Sequence, residues 1–141
     1  MNYKQKETMI PRGIRNNNPL NLRKTSINWR GKKTDGTDPD FEQFDNMYNG
    51  IRAALVNIRT MVRVHGCRTV EDVIRRWAPA SDGNNTEAYI RTVCTKARIR
   101  RTDKVLPNIK DNICKLAWAM AYVENGQTLN YGLFTQAFFM M

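Results

Sequence analysis

A single histidine, three cysteines with no C-x-x-C pair and no long apolar run remove several chemistries from this sequence at the outset. Cys67, Cys94 and Cys114 are odd in number and far apart, which argues against both a disulfide framework and a zinc site. Three buried free thiols, in a chain made in a reducing compartment, are expected instead. His65 leaves a Ser-His or Cys-His pair one candidate base at most. It precedes Gly66, where a helix should end, and a histidine there commonly serves the last carbonyls. The longest apolar block, residues 116–123, falls well short of the roughly 18–20 residues of a membrane span and reads as a buried helix. The first seven residues carry no apolar core, so a secretory signal is not expected.

Acidic charge is also scarce. Lys and Arg number 23 against 13 Asp and Glu in 141 residues, a net charge of +10. A field of that sign attracts polyanions: nucleic acid, anionic lipid, or a bacterial cell wall. Basic residues crowd at 4–33 and 96–104, whereas residues 34–50 hold Asp35, Asp38, Asp40, Glu42 and Asp45 with no Lys or Arg. Five acids in one loop would repel phosphate, which disfavours a simple nucleic-acid binder. An enzyme acting on an anionic polymer has a use for both, the acids for chemistry and the basic rim for attraction.

The length fits one domain, 1–141, whose first 11 residues form a polar arm ending in Pro11. Residues 13–44 are rich in Asn, Gly, Thr and Asp, with short apolar islands, and suit loops and a small β-hairpin. Helical periodicity then takes over. It predicts helices over 48–64, over 69–79 with Thr69 and Asp72 near a capping box, and from Asn85 or Thr86 to Ala97. A fourth runs from Pro107 to Gly126 and a short fifth covers 131–139. The fold class is mainly α, with a small irregular or β lobe near the N-terminus.

Glu124 is the most informative residue. Ile113, Ala117, Met120 and Glu124 are spaced 4, 3 and 4, so the carboxylate shares the core-facing stripe of its helix. Desolvation by that stripe and the negative end of the helix dipole both raise a carboxyl pKa. An acid kept protonated near neutral pH is what glycosidic cleavage requires. Asp38, just before Phe41, offers a second carboxylate. Trp77 and Trp118 sit in helical periodicity and are expected in the core. Trp29 and Tyr89, flanked by polar residues, could line a groove, and Asn16 and Asn18 could bond N-acetyl groups.

The segments Arg12-Gly-Ile-Arg-Asn-Asn-Asn-Pro-Leu-Asn-Leu-Arg23, Trp29-Arg-Gly31, Thr37-Asp38 before Phe41-x-x-Phe44, Gly50-Ile-Arg-Ala-Ala54, Arg76-Trp-Ala-Pro79 and Asn85-Thr86-x-x-Tyr89-Ile90 together resemble small phage and prophage proteins of lysozyme-like fold. Their order is similar to that of cell-wall glucosaminidases of that fold. Those enzymes carry their acid as Glu-Ser-Gly on a helix before the Asn-rich segment. Here Leu116-Ala-Trp-Ala-Met-Ala-Tyr-Val-Glu124-Asn125-Gly126, at the other end of the chain, resembles that helix. A circularly permuted arrangement accounts for the order. The loop Ser81-Asp82-Gly83-Asn84 departs from the Ser-Glu-Asn of relatives.

The resemblance implies peptidoglycan as substrate, cleaved by a hydrolase or a lytic transglycosylase. Glu124 would protonate the leaving oxygen. Asp38 would serve if water is the acceptor, while a transglycosylase needs Glu124 alone. Asn16, Asn18, Trp29, Thr86 and Tyr89 would bind substrate, with Glu7 and Glu42 as fallback acids. Neither metal nor organic cofactor is required, a monomer is expected, and a holin, virion or secretion machine would deliver the protein. The alternatives are a non-catalytic structural or wall-binding module and, after it, a nucleic-acid binder.

Overall fold

The computed structural model describes residues 10–141. Six α-helices lie among them: α1 (Arg12–Arg15), α2 (Met47–Arg63), α3 (Val70–Trp77), α4 (Thr86–Ala97), α5 (Lys110–Asn125) and α6 (Tyr131–Phe139). The fold is mainly helical, and the five longer helices lie within a few residues of the spans their periodicity predicts. Local chemistry fixes their starts. Asn46, Asn85 and Asn130 each accept a backbone N–H of the first turn, and Thr69 with Asp72 completes a reciprocal capping box. Gly126 ends α5 at φ +68°.

The core lies where α2, α4, α5 and α6 meet. Ile51, Leu55, Ile58, Ile90, Ile113, Leu116, Met120 and Phe134 are completely enclosed in it. Cys67 and Cys114 are buried, whereas Cys94 is only half-buried, so the expectation of three buried thiols is corrected at that position. Burial pushes the Cys114 thiol up to about 11. Trp118 sits at the core margin, donating Nε1–H to the Leu129 carbonyl at 2.8 Å and meeting Tyr131 edge-on. His65 is exposed past the end of α2.

Residues 16–45 form an irregular lobe. Residues 41–45 run between two other segments, bonded to Leu22 and Asp40 to Lys24 on one side, and to Gly31 and Lys33 on the other. Only isolated antiparallel bridges result, Arg23 with Phe41 and Lys32 with Phe44, so the expected β-hairpin is a looser structure without a ladder. Side chains satisfy what a ladder would have satisfied. Asn18 is fully buried, donates to the carbonyls of Leu22 and Glu42, and accepts the Leu22 N–H. The lobe meets α2 at Gly50, where an added Cβ would lie 1.7 Å from the Asn17 carbonyl oxygen. Only glycine lets the two backbones approach so closely.

Candidate functional site

The apolar stripe of α5 ends at Glu124, whose side chain is half-buried between the lobe and α4. Asn21 donates Nδ2–H to Oε1 and Tyr89 donates its hydroxyl to Oε2, each at 2.9 Å. Burial raises the Glu124 pKa above the usual carboxyl range, and the two donors offset part of that rise. Tyr89 is itself buried. Desolvation first, and the neighbouring carboxylate second, push its phenol well above its ordinary value. Tyr89 therefore stays a donor.

Backbone geometry holds this pair in place. Asn21 takes a left-handed conformation, φ +53°, which asparagine tolerates better than most residues. The adjoining Asn125 donates Nδ2–H to the carbonyls of Pro19 (2.7 Å) and Ala121 (2.8 Å), clipping the end of α5 to the lobe. Gly13 of α1 packs beneath both. A Cβ there would meet Asn125 Oδ1 at 2.7 Å and Asn21 Oδ1 at 2.9 Å.

No family model matches the chain. It is 38% identical over 118 residues to Protein P5 of Pseudoalteromonas phage PM2, an alignment covering 82% of this chain and 71% of that protein. The chain belongs to the Protein P5 family.

In this Protein P5 family member the other expected site residues have different employments. Asp38 is buried and accepts Arg12 through both oxygens (2.7 and 2.6 Å), Asn16 Nδ2 (2.9 Å) and the N–H groups of Asp40 and Phe41 (both 2.9 Å). The Arg12 guanidinium holds its carboxyl far below the usual carboxylate range. A carboxylate so saturated has neither the basicity nor a free lone pair to activate water, which corrects its expected role. It borders a cavity of about 470 Å³ with Arg12, Arg15, Asn16, Thr37, Pro39 and Gln43, a set that does not include Glu124.

Asn16 gives Nδ2 to Asp38 and takes Gln43 at Oδ1, and Asn18 is enclosed, so their amides are spent on the lobe rather than free for N-acetyl groups. Thr86 is buried, with Oγ1 bonded to the Ala78 carbonyl at 2.6 Å. Trp29 packs beside Leu22, Phe44 and Ala53, the lobe's small apolar cluster. Of the expected binders, Tyr89 alone hydrogen-bonds Glu124.

The acidic run is largely the lobe's own counter-charge. Asp38 and Asp40 take Arg12, the enclosed Glu42 takes Lys32 at 3.1 Å, and Asp45 takes the Asn49 amide. Glu42 is thus committed to an ion pair, and Glu7 lies outside the described residues. Among the described residues no three His, Cys, Asp or Glu side chains stand together as a metal site, and no helix is long and apolar enough to cross a membrane. Sequence reading missed Asn21, Asn125 and Gly13. Asn21 lies in the Asn-rich stretch, which reads equally well as an ordinary turn, whereas the packing of Asn125 and Gly13 gives no local signal.

Proposed function

We propose that this chain cleaves peptidoglycan glycan strands, on a lysozyme-like arrangement of lobe and helices, with Glu124 as the general acid. The observation that carries the reading is a carboxyl of raised pKa, held by Asn21 and Tyr89 at the junction of the lobe with α4 and α5. Docking of the end of α5 on residues 13–21 supports the permuted arrangement, because it brings the Glu-Asn-Gly turn against the Asn-rich segment. The net charge of +10 favours an anionic polymer as partner.

Engagement of Asp38 by Arg12 favours lytic transglycosylation over two-carboxylate hydrolysis. The Glu124 proton goes to the glycosidic oxygen as the bond breaks. The sugar's own 6-hydroxyl then attacks the anomeric carbon and returns a proton to the carboxylate. Tyr89 keeps the carboxyl oriented throughout. A holin, a virion or a secretion machine would bring the protein to the wall.

The test is digestion of purified sacculi by the full chain, with mass spectrometry of the fragments. Anhydro ends are expected. Reducing ends would restore a water-activating base and overturn the transglycosylase assignment. Intact sacculi would leave the non-catalytic wall-binding module, for which retention on sacculi in a pull-down is the readout.

A further inference from the structure

Two buried amide oxygens beside Glu124 have no hydrogen-bond donor: Oδ1 of Asn21 and Oδ1 of Asn125. Buried acceptors are rarely left so, and two in one spot call for an explanation. They are near neighbours, since both lie within 2.9 Å of the single point that a Cβ on Gly13 would occupy. The Asn18 carbonyl oxygen, a third acceptor, lies 2.9 Å from the same point. Meanwhile both oxygens of Glu124 are receiving hydrogen bonds, from Asn21 and Tyr89. That arrangement suits the carboxylate. A neutral acid carries an O–H that must itself donate, and the acceptor already at hand, the Tyr89 hydroxyl, could take it only by turning its own proton to the Met120 carbonyl at 3.5 Å, a long bond.

One motion resolves all three mismatches. We propose that the Asn21 side-chain amide turns over when Glu124 takes up a proton, making Asn21 the positioning residue that seats that proton on Oε1. With the carboxylate, Asn21 Nδ2–H donates to Oε1. With the acid, the Oε1–H group donates to Asn21 Oδ1, and Nδ2–H turns toward Asn125 Oδ1. Solvent supplies the proton and no other covalent bond changes. Tyr89 donates to Oε2 in both states.

Among the described residues, Tyr89 is the titratable group that faces this carboxyl. The others on the helices packed against α5 are turned elsewhere. On α1, Arg12 holds Asp38 and Arg15 borders the Asp38 cavity. On α2, Arg52 bonds the Met140 carbonyl and Arg63 bonds Asn108, while Tyr48 and Arg59 lie at the surface side. On α4, Glu87 pairs with Arg101, Lys96 lies over Trp118 and Tyr122, and Arg91 is exposed. On α6, Tyr131 bonds Asp111.

The amide switch needs no substrate. Only its catalytic consequence rests on the proposed function. The experiment is an NMR pH titration of the wild-type full chain, following the Glu124 carboxyl carbon and the Asn21 side-chain amide. A cross-peak between Asn21 Hδ2 and Gly13 Hα should be present below the Glu124 midpoint and absent above it. In Asn21→Gly, which keeps the left-handed backbone, the Glu124 midpoint should stay within about 0.3 pH units, because the lost amide served both states.

A fixed donor predicts otherwise. The cross-peak would not respond to pH, and Asn21→Gly would raise the midpoint by about one unit, through loss of a bond to the charged form only. Either result overturns the switch. The cross-peak is read on the wild-type chain, so it does not depend on the variant folding. Failure of the switch leaves Glu124 free to act on sacculi, and inactivity on sacculi leaves the switch to be read by NMR.

Discussion

In the bundle, the side chains that hold one helix to the next are hydrocarbon: Ile51, Leu55, Ile58, Ile113, Leu116 and Met120 are all sealed from water. In the lobe, the corresponding work falls to amides and ions. Asn16, Asn18, Asp38 and Glu42 are buried there; Leu20 joins the main core, and the small second cluster has only Leu22 and Phe44 of the lobe and Ala53 of α2 as buried members, with Trp29 and Trp77 partly buried against it. Hydrophobic burial is non-directional and tolerates small shifts, whereas hydrogen bonds are directional and allow only discrete arrangements. Glu124 stands where the two meet. The bundle supplies the desolvation that raises its pKa, and the lobe supplies the Asn21 amide that pairs with it.

The sharpest way to break the comparison is at the contact between the two regions. Gly50→Ala would drive a Cβ into the Asn17 backbone oxygen, an atom that no rotamer change can move. The expected cost is about 4 kcal/mol, read as a fall in the chemical-denaturation midpoint. Within the bundle, Ile113→Ala should cost about 3 kcal/mol through a cavity, with little dependence on pH. A loss below about 0.5 kcal/mol would mean that α5 is not packed through this face.

Within the lobe, Asp38→Asn should cost about 2 kcal/mol, discounted because Arg12 is partly exposed. Here pH matters. The folded-state pKa of Asp38 is depressed, so its stabilisation is fully present above the unfolded value of roughly 3.9. It is lost as pH falls below that toward the folded value. Amide protection, corrected for the intrinsic exchange rate, should therefore fall in residues 16–45 on acidification before it falls in α2 and α5, and Asp38→Asn should abolish that acid sensitivity. Uniform exchange across lobe and bundle would contradict the division.

The same division explains what sequence reading could reach. Periodicity reports apolar faces, so α2 to α6 were legible, down to the capping box of Thr69 and Asp72. The core-facing position of Glu124 followed from the same count. The lobe has no period to read. Whether Asp38 faces a ligand or Arg12 depends on tertiary pairing 26 residues away, and the donor to Glu124 comes from a position 103 residues earlier. Neither leaves a mark on local spacing. Gly13 and Gly50 are likewise set by what packs against them.

The proposed function depends on one half-buried carboxyl, Glu124, acting as the general acid. Glu124→Gln keeps the size and an oxygen to accept Tyr89, places an N–H donor where the acid has its O–H, and removes the transferable proton. Because burial raises the folded pKa, the wild type loses stability as pH rises from the unfolded value of roughly 4.3 through the folded one, whereas the amide does not. At neutral pH the variant should be at least as stable as the wild type, and its rate of sacculus cleavage should fall by about 10²–10⁴. A folded Glu124→Gln protein that cleaves sacculi at the wild-type rate would contradict the account.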